Sequence, residues 1–291
     1  MDRAKLKLLT AMGIFGTIGI MVKYIPLGSA AIAFTRGVLG VLFLLTVMGL
    51  GKQRFDRAAV KRNLLLLILS GAAIGINWIL LFESYRYTTV ATATVCYYLA
   101  PVFLLLASPL IGERLTVKKG ICILVALAGL VCVSGIVETG LPKLSDLKGV
   151  FLGVGAAVFY ASVMVLNKKF TPIPAYDKTI LQLGSAALVI LPYLLLTGGF
   201  GYGSLSALQG VLLLVVGIVH TGVAYTLYFG SMKDLQAHTI AIFSYLDPVI
   251  AVILSAVLLK EDIGFWGIVG TVLILGSALY SELPGKAARQ D

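Results

Sequence analysis

The chain has 291 residues, of which 59% are hydrophobic and 12% are charged, and its mean hydropathy is +1.01. A soluble domain carries about 25% charged residues, so this composition excludes an ordinary polar surface and indicates an all-α integral membrane protein. The net charge of +10 would suggest nucleic-acid binding in a soluble chain. Here the basic residues fall in short connectors between apolar runs, and we expect no nucleic-acid partner.

Ten apolar segments are long enough to be predicted as transmembrane helices. A span needs about 20 apolar residues at a rise of about 1.5 Å per residue. Glycine and proline mark many of the breaks between the segments, as in "IPLGS" (25–29) and "TPIPAYD" (171–177). The predicted spans are residues 5–24, 29–50, 63–82, 90–110, 119–137, 148–167, 178–197, 207–229, 239–259 and 264–281.

The distribution of positive charge predicts the orientation of these spans. If the N-terminus is cytoplasmic, 17 of the 23 lysines and arginines lie on the inner side and 5 on the outer side, and Arg36 lies within a span. Positive charge accumulates on the cytoplasmic side of membrane proteins. We therefore predict a multi-pass protein of the cell (inner) membrane with both termini in the cytoplasm.

The chain contains an internal repeat. Residues 84–102 match residues 231–249 at an offset of 147. Each half has five predicted spans, and because five is odd, the second half crosses the membrane in the opposite sense. Inverted repeats of this kind are typical of secondary transporters, whose binding sites lie near the midplane. The identical pairs at this offset include Gly75 and Gly222, Phe82 and Phe229, Ser84 and Ser231, Tyr98 and Tyr245, Leu99 and Leu246, and Pro101 and Pro248.

The domain prediction follows from this repeat. It places a first five-helix repeat at residues 1–137, an external connector at 138–147, a second inverted repeat at 148–283 and a cytoplasmic tail at 284–291.

Two motifs carry a resemblance to a known family. The segments "YLAPV…GERLT" and "YLDPV…KED" each close the fourth helix of a half, and "AFTRG" (33–37) lies in the second helix. The chain resembles the EamA-type branch of the drug/metabolite transporter superfamily over nearly its whole length. The resemblance implies ten helices, of which 1, 3, 4, 6, 8 and 9 surround a central cavity, and the export or exchange of small metabolites. The second half departs from the family pattern, because Lys260 precedes Glu261.

Proline occupies the same place in both halves. A proline within a helix removes one backbone hydrogen bond and crowds a carbonyl, here that of Tyr97 for Pro101 and that of Ser244 for Pro248. We predict that the helix kinks or loosens at both prolines toward a wet interior. A packing kink, with Ser244 or water bound to the freed carbonyl, is a compatible interpretation. Glu113 and Glu261, which end the fourth helix of each half, are predicted to be structural.

Asp247 is the main candidate for a functional residue. It is the only charged residue between Thr239 and Leu259, and its counterpart in the first half is Ala100. A carboxylate at this depth costs about 2.5–3.5 kcal/mol and usually faces a cavity. Two roles fit: it binds a cationic group of the substrate, or it carries a coupling proton, since burial favours the neutral carboxyl group. The alternative is a structural acid held by Ser244, Tyr245 or a backbone amide.

An aromatic chamber is predicted around this acid. Tyrosine and tryptophan offer apolar area and one hydrogen-bond donor, which suits amphipathic metabolites, although each ring taken alone could be ordinary packing. His220 could relay a proton or be a neutral core residue. The predicted substrate- or proton-binding residues are Asp247, His220, Asn77, Trp78, Tyr97, Tyr160, Tyr225, Tyr228 and Ser244.

Two polar residues receive structural predictions. Arg36 is expected to extend to the membrane interface or to pair with Glu83, and substrate binding is the alternative. Gln182 is expected to form an interhelical hydrogen bond. Cys96, Cys122 and Cys132 lie in apolar runs, so no disulfide framework is expected. The sequence also has no pattern for a metal or a cofactor.

These features predict a secondary transporter that works without ATP by alternating access. It would move a small organic metabolite such as an amino acid or amine, in the direction of export, with protons coupled through Asp247. The alternative is an uncoupled facilitator or exchanger in which Asp247 only recognises the substrate. An intramembrane enzyme or a non-transporting scaffold fits less well, because the sequence has no cluster of catalytic groups. We expect the protein to be surrounded by membrane lipid and to be a monomer or weak homodimer.

Overall fold

The computed structural model describes residues 3–107, 109, 112, 116–134, 136–139, 144–196, 199–232, 235 and 237–282. In this part of the chain all regular structure is helical. The helices are α1 (Arg3–Gly16), α2 (Ile18–Lys23), α3 (Ser29–Leu50), α4 (Arg57–Tyr87), α5 (Val90–Tyr97), α6 (Ala100–Leu106), α7 (Val117–Val133), α8 (Ile136–Thr139), α9 (Leu144–Asn167), α10 (Ala175–Leu196), α11 (Ala207–Gly217), α12 (Ala224–Met232), α13 (Ala237–Ser244), α14 (Leu246–Leu258) and α15 (Phe265–Glu282). A π-helical turn, Ile218–Val223, joins α11 to α12.

Several helices are apolar enough to cross a membrane. Six described segments reach the length and composition of a membrane span, and three shorter apolar segments accompany them. Helical residues fall within each of the ten predicted ranges, but the number of ten crossings stays a prediction. The six long segments are Arg3–Lys23, Ser29–Leu50, Arg57–Tyr87, Asp146–Asn167, Ala175–Leu196 and Ala207–Ser231.

The outer surface of the helices is apolar. Large hydrophobic side chains such as Leu65, Phe151, Leu188 and Val272 are exposed along their lengths. Soluble monomers rarely expose contiguous apolar surface on this scale, whereas lipid tails solvate it. The side-chain pattern therefore fits a multi-pass membrane protein.

Polar residues begin several helices. The Asp56 carboxylate accepts from the Ala59 amide at 2.9 Å and caps α4, and the Thr89 hydroxyl accepts from the Thr92 amide at 3.0 Å and caps α5. Such caps satisfy backbone donors that have no partner within the helix. They place the breaks between helices in the short polar connectors.

The helix α4 is the centre of the bundle. Antiparallel packing against α9 is visible in the hydrogen bonds from Ser84 Oγ to the Gly149 carbonyl (2.8 Å) and from Asn77 Nδ2 to the Ala156 carbonyl (2.6 Å). On its other side α4 packs on α10, where Gln182 Nε2 donates to Ser70 Oγ at 2.8 Å. Gln182 therefore forms a hydrogen bond between two helices, as the sequence predicts.

The helices α7 and α15 form a separate pair away from the centre. Their backbones approach closely at Gly129 and Gly270: a Cβ at Gly129 would lie 2.9 Å from the Gly270 carbonyl oxygen. Glycine is needed at such a contact because any side chain would separate the helices.

Two helices are interrupted before a proline. The helix α5 ends at Tyr97, and α6 restarts with Pro101 as its second residue; α13 ends at Ser244, and α14 restarts with Pro248 as its third. The first turn of a helix needs no intrahelical N–H partners, so proline is tolerated there. These interruptions lie at the two prolines where the sequence predicts a kinked or loosened helix.

Candidate functional site

A cavity of about 340 Å³ lies among the central helices. This volume is near the lower end of small-molecule sites, which span about 300–1,000 Å³. Seven of the nine predicted binding residues line it. They are Asn77, Trp78, Tyr97, Tyr160, Tyr225, Tyr228 and Asp247.

Asp247 lies at the start of α14, where the helix restarts. It is the second residue of that helix, after Tyr245 at the N-cap. Its Oδ2 accepts a hydrogen bond of 2.6 Å from the Tyr98 hydroxyl. The amide groups of a helix N-terminus favour negative charge, so the restart of the helix offsets part of the cost of this carboxylate.

Tyr98 is a site residue that sequence reasoning did not select. It lies between α5 and α6, and its ring centre is 6.3 Å from that of Tyr245. These two tyrosines are equivalent in the internal repeat, so the two interruptions meet each other. The repeated Tyr-Leu pair was a signal that could have identified it.

Aromatic rings cover much of the cavity wall. The rings of Tyr97 and Tyr160 stack with centres 5.1 Å apart, and Phe15 lies 5.5 Å from Tyr225. The Tyr225 ring also contacts Phe229 at 5.8 Å. The rings of Tyr97, Tyr160 and Tyr225 belong to the aromatic chamber that the sequence predicts, and Phe15 and Phe229 from the same cavity lining join them. They form an apolar surface with phenolic hydroxyl groups.

Arg36 corrects a sequence-based expectation. It was expected at the interface or beside Glu83, but its side chain is 6% exposed and lines the cavity. Its guanidinium carbon lies 4.2 Å from the centre of the Trp78 ring. Glu83 instead accepts from Ser29 Oγ at 2.5 Å and lies 3.4 Å from the Arg86 guanidinium.

The π-helical turn explains the position of Arg36. The Thr221 hydroxyl lies in this turn and accepts from Arg36 Nε at 2.8 Å. The α3 backbone can approach because Gly40 faces the turn: a Cβ there would lie 2.4 Å from Thr221 Cγ2. The wider turn and the glycine together allow α3 to place a cation inside the bundle.

His220 and Ser244 do not line the cavity. His220 Nε2 lies 2.8 Å from Thr17 Oγ1, its Nδ1 lies 3.3 Å from the Val215 carbonyl oxygen, and the side chain is buried. Ser244 Oγ donates to the Ile240 carbonyl at 2.8 Å. His220 therefore joins the break between α1 and α2 to the π-helical turn.

The cavity extends from the interruptions toward one end of the bundle. Its lining includes Asn167, the last residue of α9, and Lys178 and Thr179 near the start of α10. Gln182 also lines it and donates to Asn167 Oδ1 at 3.0 Å. These polar groups lie on the side that the charge pattern predicts to be cytoplasmic.

A polar cluster joins helices at the opposite end. Glu261 accepts from the Val90 amide at 2.8 Å and from the Ser255 hydroxyl, and it pairs with Lys23 Nζ at 3.4 Å. Lys23 Nζ also donates to the Tyr85 carbonyl at 2.7 Å. Glu261 and Lys23 together thus join α2, α4, α5 and α14. Glu113, its predicted structural counterpart, lies outside the described residues.

The described residues contain no candidate metal site. Among the described residues there is no group of three or more His, Cys, Asp or Glu side chains that could hold an ion.

Comparisons with known proteins agree with the helical architecture. The EamA-like transporter family matches residues 3–135 and again residues 147–281. The uncharacterized transporter YxxF of Bacillus subtilis is 32% identical over 95% of this chain and 88% of its own length. An uncharacterized transporter of Archaeoglobus fulgidus is 28% identical over 91% of each chain.

A solved structure supports the fold alone. The crystal structure of a protein that is 18% identical to this chain superposes on it with a TM-score of 0.65 over 96% of each chain. With the family match across nearly the whole sequence, the apolar helices and the central cavity, the chain belongs to the EamA-like transporter family and is a multi-pass membrane transporter.

Proposed function

We propose that this chain is a secondary transporter that moves a small organic metabolite with an amino group, such as an amino acid or amine, by alternating access. Export is the proposed direction, with proton coupling through Asp247. The observation that carries the proposal is the position of Asp247 in the cavity, where the Tyr98 hydroxyl donates to it at 2.6 Å. A carboxylate that faces a central space can meet a substrate and exchange a proton.

The proposal includes ten crossings arranged as two inverted halves, residues 1–137 and 148–283, joined by 138–147 and followed by the tail 284–291. The twofold family match and the contact between Tyr98 and Tyr245 support this arrangement. Both termini would be cytoplasmic in the cell (inner) membrane. The protein would act as a monomer or weak homodimer.

The difference between the two ends of the bundle supports alternating access. The cavity extends toward Asn167 and Lys178, while the pair of Lys23 and Glu261 joins helices at the opposite end. Such an asymmetry is expected of one of the two states of an alternating transporter. Opening the other end would require this ion pair and the hydrogen bond from the Val90 amide to separate.

Transport in proteoliposomes tests the proposal. Purified protein is reconstituted, and uptake of labelled metabolites is measured with and without a pH gradient. We expect the gradient to drive accumulation in the wild type but not in Asp247→Asn, which cannot carry the proton. Gradient-driven uptake at the wild-type level in Asp247→Asn would refute proton coupling through this residue.

The alternative function is an uncoupled facilitator or exchanger. The hydrogen bond from Tyr98 also orients the carboxylate for binding an ammonium group, which needs no proton transfer. Counterflow measurements discriminate between the two functions. Exchange that is indifferent to pH gradients but lost in Asp247→Ala would favour the alternative.

A further inference from the structure

We propose that Arg36 and Asp247 bind the two opposite charges of a single zwitterionic substrate. The substrate carboxylate binds the guanidinium of Arg36, and its ammonium group binds the carboxylate of Asp247. The inference rests on the proposed function of the cavity and goes beyond it, because it assigns a specificity residue and requires two charged groups on one molecule.

Arg36 is a cation with unused hydrogen-bond donors. Its Nε donates to Thr221, and no carboxylate among the described residues forms an ion pair with it. Among the described residues, every side-chain nitrogen that is completely buried has a hydrogen-bond partner, so a nitrogen without a partner must touch open space. The two Nη atoms, for which no such partner is described, are therefore in contact with the cavity space.

The Arg36 guanidinium is also held in a fixed orientation. Its carbon lies 4.2 Å from the Trp78 ring centre and 5.8 Å from that of Phe82, while Thr221 holds the Nε edge. A guanidinium offers a planar pair of donors that matches a carboxylate. With the Nε edge occupied, the remaining edge is left for a ligand.

Asp247 is the complementary group. Both residues line the same cavity, but they do not form an ion pair with each other. One Asp247 oxygen accepts from Tyr98, and no second hydrogen bond to its side chain is described. Arg36 and Asp247 are therefore separated charges of opposite sign in one cavity, each partly satisfied by the protein.

A zwitterion is the ligand that satisfies both charges at once. A buried charge without a partner is costly, and the cost falls only when hydrogen bonds and an opposite charge replace water. A simple amine would leave Arg36 without a counter-ion, and a simple acid would leave Asp247 without one. The aromatic wall, including Tyr97 and Tyr160, is suited to the apolar body of the same molecule.

Lys178 is the other cation in the cavity lining that a substrate carboxylate could bind. It lines the cavity from the first turn of α10, and its Nζ lies 5.7 Å from the Phe170 ring centre. Its ammonium is a single point charge on a flexible stem, whereas Arg36 presents an oriented fork. Lys178→Gln is therefore a matched control for Arg36→Gln.

The test is a ligand series on the purified full chain. Thermal unfolding is measured against the standard α-amino acids, because a ligand of the folded state raises the transition temperature. Each binder is then compared with the amine that lacks its carboxylate and with its N-acetyl derivative. We expect at least one amino acid to bind, and both derivatives to bind about 10-fold more weakly or worse, since each loses a charged hydrogen bond.

The variants assign the effect to residues. Arg36→Gln should lower the affinity for the amino acid to that for the amine, with the affinity for the amine unchanged, and Lys178→Gln should preserve the wild-type preference. If Arg36→Gln does not fold, the wild-type ligand series still decides. Three outcomes would overturn the inference. They are that amines or N-acetyl derivatives bind as tightly as amino acids do, that no amino acid binds, or that the preference for amino acids is lost in Lys178→Gln and kept in Arg36→Gln.

The same ligands in the proteoliposome assay separate the two failures. Asp247-dependent transport of solutes that carry one charge only would overturn the zwitterion inference and leave the proposed function standing. If none of the amino acids and none of the single-charge derivatives is transported, the proposed function fails as well.

Discussion

The two interrupted helices have the same backbone plan but different environments. In the first, Ala100 follows the break and is 1% exposed, packed in an apolar cluster with Val95, Leu99 and Val102. In the second, Asp247 follows the break and lines the cavity. The same backbone interruption can therefore serve apolar packing in one half and present a polar group to the cavity in the other.

A second difference lies in the helices that precede these breaks. Residues 71–78 of α4 form regular α-helix, whereas their counterparts in the repeat, 218–225, include the π-helical turn. The turn carries Thr221, which holds Arg36. The placement of Arg36 and of Asp247 thus depends on features of the second half.

The largest expected effect comes from placing at the first interruption the aspartate that follows the second. Ala100→Asp would place a carboxylate in a packed apolar cluster with no donor prepared for it. An acid at this depth costs about 2.5–3.5 kcal/mol, so we expect a marked loss of folded protein. Thermal unfolding in detergent checks this, with Ala100→Leu as a control for bulk alone. An unchanged transition temperature in Ala100→Asp would show that the two environments are equivalent.

Removal of the Tyr98 hydroxyl should have the next largest effect. Tyr98→Phe keeps the ring but deletes the donor to Asp247. A hydrogen bond to a charged group is worth about 1.5–3 kcal/mol, so we expect transport to fall about 10-fold or more. Tyr280→Phe, on the exposed face of α15, is the control. Equal initial rates of uptake in both variants would contradict a role for this hydroxyl.

Gly40→Ala tests the support of Arg36 by the π-helical turn. The added Cβ would lie 2.4 Å from Thr221 Cγ2, so the turn or α3 must shift. Overpacking of this kind costs about 1–3 kcal/mol. We expect lower thermal stability and weaker substrate binding than in Gly49→Ala, where nothing lies within 4 Å of the new methyl group. Wild-type stability and binding in Gly40→Ala would refute the need for the close approach.

Much of the architecture could be read from local patterns. Apolar run lengths indicated the helical segments, and the match at an offset of 147 pointed to Asp247 as the residue without a counterpart. The family resemblance is confirmed by the match over residues 3–135 and 147–281. These inferences succeeded because run length, charge and repetition are properties of contiguous sequence.

The positions of Arg36 and His220 could not be read in this way. Both are polar residues in apolar helices, and the same pattern fits an interface, a core or a cavity. The direction of Arg36 depends on how α3 packs on the π-helical turn, and that of His220 on its contact with Thr17, which is distant in sequence. Tyr98 was missed because its importance comes from Asp247, a residue 149 positions away.

The sequence by itself determined the membrane class, the helical segments, the family and the acid that distinguishes the second half. Only the tertiary structure decided which polar groups share one cavity: Arg36 and Asp247 do, and His220 does not. The physical reason is that apolarity is summed along the chain, whereas the direction of each side chain is set by packing between distant helices.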